Sequence, residues 1–260
     1  MNRTNTFIVD SHCHLDYLKD KTLNDVKAMA NEFAVKHFLT IAVEEKHWAQ
    51  LQELAKAPDI DCALGIHPVD VTNAKEGWQD RLLEAAKNPD VVAVGETGLD
   101  NYHDPNQQEL QLEAFEAHAY IAKKTNKPLV IHMREATSQV LRFIKSQGGN
   151  LGILHCFSED YQVAKQLLNQ NMMISLSGIV TFKNAHLLHE VAQKIPLESM
   201  LIETDSPFLA PVPYRGKTNY PAYTRYVAEK IAELRGISWE EVAEQTTQNY
   251  FRLTREGRDK

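Results

Sequence analysis

A chain of 260 residues, 43% hydrophobic and 24% charged, is long enough to bury a full core and too rich in apolar side chains to be disordered. Its formal net charge of -7 excludes a protein that coats duplex DNA through many phosphate contacts, because each contact needs a Lys or Arg to displace a counterion. Any nucleic-acid role must therefore be local and metal-centred.

The first predicted strand covers 6–10, so the chain enters structure at once and leaves no room for a signal peptide. No apolar run approaches the roughly 20 residues needed to span a membrane. A helical pattern follows at 22–35, then a strand at 37–43 and a helix at 46–57, a strand at 61–66 and a helix at 78–88. The alternation continues with strand 90–96, helix 106–126, strand 128–132, helix 135–147, strand 151–155, helix 160–170, strand 172–176 and helix 184–195. A last strand at 200–205 precedes the Pro/Gly-rich stretch 206–217, which reads as an ordered loop, and two further helices. The second of these opens with Ser238-Trp239-Glu240-Glu241, a capping-box pattern. Eight strand–helix units in one chain predict a (β/α)8 TIM barrel, with 1–260 a single domain. A doubly wound open sheet is the alternative, and the missing Gly-rich phosphate loop after the first strand speaks against it.

Cys13, Cys62 and Cys156 have no CxxC spacing and read as reduced thiols of a cytoplasmic protein. A thiolate ligand at Cys13 or Cys156 is the competing reading; strand alternation turns Cys13 away from the side used by His12 and His14.

Acidic and imidazole side chains recur where the predicted strands end. Asp10, His12 and His14 follow the first, Glu96 closes the fourth, His132 the fifth, His155 the sixth and Asp205 the eighth. In a barrel these ends share one face, which predicts a metal site at the carboxyl ends of the strands. His12 and His14 have period-two spacing and so point the same way. Asp10 is either an acceptor that orients a histidine or a loop cap. Glu96 follows an apolar run, where an unpartnered carboxylate would cost several kcal/mol, and a metal or a salt bridge to an Arg would resolve that. Asp100 lies farther out and reads as a loop or helix-capping residue. His132 and His155 are each either core histidines or ligands. The expected sets are His12, His14, Glu96 and Asp205 around one cation, and Glu96, His132 and His155 around another. Zn²⁺, Mn²⁺ or Fe²⁺ suits such mixed donors, and Mg²⁺ tolerates them.

The segments Asp10-Ser11-His12-Cys13-His14-Leu15-Asp16, Gly65-Ile66-His67-Pro68, Gly95-Glu96-Thr97-Gly98-Leu99-Asp100, Ile131-His132-Met133-Arg134, His155-Cys156-Phe157-Ser158 and Glu203-Thr204-Asp205-Ser206-Pro207-Phe208-Leu209-Ala210-Pro211 occur in this order along nearly the whole chain. They resemble the motifs of TatD-type metal-dependent deoxyribonucleases, within the wider amidohydrolase-like barrels. The resemblance implies a (β/α)8 fold, dependence on divalent metal (Mg, Mn or Zn) and hydrolysis of DNA phosphodiesters, with exonuclease attack at the 3′ ends of single strands. It places metal ligands on the same six residues. Departures concern substrate contacts: Arg215-Gly216-Lys217-Thr218-Asn219-Tyr220-Pro221 lacks one cation and one carboxylate usual there, and Glu135 and Glu159 replace the customary Asp and Gly.

Two cations about 3.5–4 Å apart would hold a bridging hydroxide, with Asp205 accepting and then returning the proton and Glu96 joining the metals. His67 is a candidate phosphate donor or a turn residue before Pro68. Arg134, Arg215 and Lys217 are candidate phosphate-binding cations or solvated surface charge. Tyr102, Phe157, Phe182 and Tyr220 are aromatic residues of the end loops that either stack a base or pack. Two other functions fit the same residues. One is cleavage of an ester or amide, such as an aminoacyl-tRNA ester; Glu96 stands where many such barrels carry a carbamylated Lys. The other is a non-catalytic metal-dependent binding protein.

Overall fold

Residues 6–255 are described by the computed structural model. The ends of the expected 1–260 domain, and with them part of the expectation about the N-terminus, lie outside the described residues. The strands are β1 (Ile8–Cys13), β2 (Val35–Ile41), β3 (Ile60–Leu64), β4 (Val91–Asp100), β5 (Leu129–Arg134), β6 (Gly152–Leu154), β7 (Met173–Leu176) and β8 (Met200–Ile202). Interleaved with them are the helices α1 (Leu23–Glu32), α2 (Trp48–Leu54), α3 (Trp78–Ala85), α4 (Gln108–Thr125), α5 (Thr137–Ser146), α6 (Tyr161–Leu168) and α7 (His186–Lys194). After β8 come α8 (Thr224–Arg235) and α9 (Trp239–Thr254).

All eight strands belong to one sheet in chain order, β1 through β8, which is the (β/α)8 barrel arrangement. Each predicted strand and helix has a counterpart. Three strands run on past their predicted ends; β5 reaches Arg134, so His132 lies inside it. β1 continues to Cys13, so His12 lies inside the strand. β4 continues to Asp100, so Glu96 sits in its middle. Among the described residues no helix is long and apolar enough to cross a membrane.

The chain divides into two compact units. The first comprises 6–39, 156–165 and 174–251. Here the first and last strands meet: the N–H of Asp205 donates to the carbonyl of His12 at 2.9 Å, and that of His14 to Ser206 at 2.8 Å. β8 pairs in parallel with β7, Ser175 opposite Leu201. Ser11 Oγ, buried inside, lies 3.1 Å from Ser175 Oγ and donates to the carbonyl of Ile202 at 3.0 Å, which satisfies polar groups that burial would otherwise penalise. α9 is capped as predicted at Ser238, whose Oγ accepts the Glu241 N–H. Asn249 fixes that helix to the start of β8 through the carbonyls of Leu197 and Met200.

The second unit comprises 40–155, 166–173 and 252–255. β3, β4, β5 and β6 pair in parallel, and their apolar residues are buried on both faces, as parallel strands covered by helices require. Between β4 and β5 the register slips: Val94 faces Leu129, but Thr97 faces Ile131, so β4 advances three residues for two on its neighbour. The slip is a bulge around Glu96. Beyond it Gly98, at φ +135°, lies so close to β5 that a Cβ would fall 2.1 Å from the His132 carbonyl oxygen. Gly98→Ala is expected to cost about 2–3 kcal/mol, read as a lower urea midpoint at unchanged slope.

His118 of α4 shows why a buried histidine need not be a ligand. Its Nδ1 donates to the Ala114 carbonyl at 2.6 Å and its Nε2 accepts the Ile66 N–H at 3.0 Å. Burial pushes its pKa down to about 4, so the ring is neutral and structural.

Candidate metal centre

The first unit brings together His12 and His14 from the end of β1 and Asp205 from the turn after β8. The Nε2 atoms of His12 and His14 lie 3.6 and 3.4 Å from the same Asp205 oxygen. Period-two spacing on an extended segment puts both rings on one side, their centroids 5.1 Å apart. Asp205 has φ +58°, a left-handed backbone conformation that Asp tolerates better than most residues. Behind this group Asp10 is fully buried and accepts the Thr204 N–H at 2.9 Å, the Thr204 hydroxyl at 2.5 Å and the His12 N–H at 3.4 Å. It therefore fastens β1 to the chain after β8 and does not orient an imidazole. Burial, reinforced by the charge of Glu203, pushes its carboxyl up to about 8 against those hydrogen bonds. Glu203, also buried, accepts the Cys156 N–H at 2.8 Å.

The second unit assembles Glu96, His132, His155 and His67. One carboxylate oxygen of Glu96 lies 2.7 Å from His155 Nε2, 3.1 Å from His132 Nδ1 and 3.4 Å from His67 Nε2. These neighbours of the carboxylate are imidazoles, of the kind that bind divalent metals as neutral rings. Burial pushes the His67 pKa down to about 3, which keeps that ring neutral. Glu96, His132 and His155 present ligand atoms within 4.8 Å of one another. Such a buried set of nitrogen and oxygen donors fits a divalent cation of borderline softness.

Asp100, expected in a loop, is instead the buried last residue of β4. Its Oδ2 lies 3.0 Å from His132 Nε2 and 2.8 Å from His103 Nδ1, while its Oδ1 accepts the N–H groups of Tyr102 and His103. Burial alone would raise the Asp100 pKa, but the hydrogen bonds from His132 and His103 outweigh it and hold the carboxyl well below the usual range. Burial lowers the His132 pKa, but the hydrogen bonds to Asp100 and Glu96 outweigh it and raise it; in the neutral ring a proton kept on Nε2 by Asp100 leaves the Nδ1 lone pair toward Glu96 and His155. Gln111 of α4 holds Asp100 from behind through both its backbone N–H and carbonyl. The sequence signal for this pairing is the four-residue spacing from Glu96 to Asp100, which alternation places on one face once β4 is known to continue to Asp100.

The remaining sequence candidates fall as follows. His67 is both a turn residue, its Nδ1 accepting the Val69 N–H at 3.2 Å, and a member of the Glu96 group. The Arg134 guanidinium sits 4.9 Å from the centre of the exposed Tyr102 ring. Arg215 lies 4.4 Å over Phe182, and Lys217 is 6.0 Å from the Tyr214 ring. Phe157 and Tyr220 are buried and pack. Cys13 is buried, its Sγ directed at the Leu39 carbonyl and its pKa raised by burial, which suits a thiol; Cys156 Sγ lies 3.2 Å from Ser177 Oγ.

A family profile described as TatD related DNase matches residues 9–255. The uncharacterized metal-dependent hydrolase YcfH of Escherichia coli K12 is 42% identical over 254 residues, 95% of each chain. The uncharacterized metal-dependent hydrolase YabD of Bacillus subtilis is 38% identical over 252 residues, 95% of this chain and 99% of that one. Among solved structures, YJJV, a TatD homologue from E. coli K12, superposes with a TM-score of 0.87 at 27% identity, covering 96% of this chain and 99% of its own. Matched along nearly its whole length, the chain belongs to the TatD family of metal-dependent hydrolases.

Proposed function

We propose that the protein is a 3′–5′ exodeoxyribonuclease that hydrolyses phosphodiesters at the ends of single-stranded DNA in the cytoplasm, the chain acting as one hydrolase domain. The observation that carries the reading is the Glu96 carboxylate gathered by His155, His132 and His67. We assign two divalent ions, Mg, Mn or Zn: one would be held by His12, His14 and Asp205 of the first unit, the other by Glu96, His132 and His155 of the second. When bound, such ions polarise a phosphoryl oxygen and make water a better nucleophile at neutral pH.

The chain's own residues do the rest. Asp205 takes a proton from the attacking water as the new P–O bond forms and delivers it to the 3′ oxygen as the old P–O bond breaks. His67 donates to a phosphate oxygen, and Arg134, Arg215 and Lys217 hold the phosphates of the strand end. Asp100 holds His132 in the tautomer a ligand needs. Asp100→Asn keeps an acceptor for the Tyr102 and His103 N–H groups but turns an N–H toward His132. It is expected to weaken metal affinity about 10- to 100-fold, read by titration of the stripped protein.

Metal-stripped protein given Mg²⁺, Mn²⁺ or Zn²⁺ and a 5′-labelled single-stranded oligonucleotide tests the whole reading. The expected result is a ladder that shortens from the 3′ end with metal and stays intact without it. Folded, metal-loaded protein that leaves the oligonucleotide uncut with every ion would replace this reading by ester or amide hydrolysis.

A further inference from the structure

Large apolar side chains left in solvent are ordinary when scattered, but Phe208 is not placed like the others. It is 51% exposed and three residues from Asp205. Its ring stands nearly perpendicular to those of His14 and Tyr17, at centroid distances of 6.1 and 6.4 Å and interplanar angles of 70° and 88°. His14 and Tyr17 themselves stack, 5.4 Å apart. Phe208 is therefore an accessible aromatic surface in contact with one of the residues assigned to metal.

The backbone beneath it is fastened on every side. The Phe208 N–H donates to the Asp205 carbonyl at 2.9 Å. Its carbonyl accepts Asn219 Nδ2 at 2.6 Å, and the same Nδ2 donates to the Thr204 carbonyl at 2.9 Å. Asn219 is itself fully buried, and its backbone N–H donates to Pro207. Farther along, the Val212 N–H donates to Thr181 Oγ1 at 2.9 Å. Gly178 comes so near that a Cβ there would lie 2.2 Å from the Leu209 carbonyl oxygen. A phenyl ring presented on so fixed a backbone loses little further freedom when something stacks on it, which is the condition for an exposed aromatic to bind well.

We infer that Phe208 is the stacking shelf for the terminal nucleobase of the strand being cut. The inference rests on the nuclease reading and adds to it the group that holds the base. Every nucleobase has a π face, so a phenyl shelf grips a strand end without choosing among sequences, whereas a set of hydrogen-bonding side chains would choose. The phosphates are left to cations and metal. Tyr17, stacked on His14, supports the shelf from below and is a positioning residue.

The test uses the full chain, metal-stripped so that nothing is cut, with fluorescent single-stranded oligonucleotides that end either in a normal 3′ nucleotide or in an abasic one. For wild type, removal of the terminal base is expected to weaken binding about 10-fold or more, the range that base–aromatic stacking provides. Phe208→Ala should lose about the same factor toward the normal end and nothing toward the abasic end, and Phe208→Trp should restore the difference. Equal losses toward both ends, or no loss toward either, would overturn the shelf while wild-type cutting of the oligonucleotide left the nuclease reading standing. Wild type that neither binds nor cuts any oligonucleotide overturns both.

Discussion

Replacing Glu96 by Ala is expected to yield a folded protein with at most one divalent ion per chain and a rate on single-stranded oligonucleotide at least about 1,000-fold below wild type. The magnitude follows from the several kcal/mol that metal charge contributes to a phosphoryl transition state, at 1.36 kcal/mol for each factor of ten. Without the carboxylate, three imidazoles face one another across a space that no anion occupies, and the donors there lose the charge that attracts a cation. Glu96→Gln separates charge from shape. The amide keeps the side chain's size but not its charge, so it should resemble the Ala variant in metal content and activity. Elemental analysis of the purified variants, read beside the oligonucleotide time course, decides the matter. Full metal content with full activity would remove Glu96 from the centre.

Asp205→Asn is expected to lower kcat about 100- to 10,000-fold with little change in KM, the range for loss of a general acid–base group. Asn is the informative replacement because the residue sits at φ +58°, where Asn is accepted as readily as Asp and most other residues are strained. The backbone hydrogen bonds from Asp205 to His12 and from Phe208 to Asp205 should survive unchanged. If the variant retains wild-type kcat with its metals in place, Asp205 is not the proton acceptor. If it instead loses metal, its contacts at 3.6 and 3.4 Å to His12 and His14 matter more for ligation than for proton transfer.

The fold was legible because a parallel strand covered on both faces must be an apolar run, and eight such runs alternate with amphipathic helices. The residues His12, His14 and Asp205 stood out for the same reason: a polar residue at the end of an apolar run is conspicuous. Legibility failed where backbone geometry departs from alternation. The bulge around Glu96 carries β4 on to Asp100, so a residue that looked like loop is buried beside His132. Period-two reasoning has no means of seeing an inserted residue. The sequence offers Asp10 as an orienting acceptor or a cap, and only the structure shows it tied to Thr204, 194 residues away in sequence. For the loop aromatics the sequence leaves stacking and packing both open. Phe157 and Tyr220 lie in loops yet are buried, whereas Phe208 hides in a motif whose acid draws the attention and is half exposed.

Asn219 ends the stretch that begins after Thr204, and its single amide holds both ends of the turn that carries Phe208. The intervening segment, with Arg215 and Lys217 in it, is thus a cassette closed by one buried side chain, like a drawstring at the neck of a bag. Lineages and engineers can exchange its contents, altering charge and aromatic character to suit another polymer or a small ester, while the acid at 205 keeps its place. What they cannot exchange is the Asn that ties it. Divergence of substrate in this half of the molecule is therefore expected between 206 and 218, with 219 held fixed.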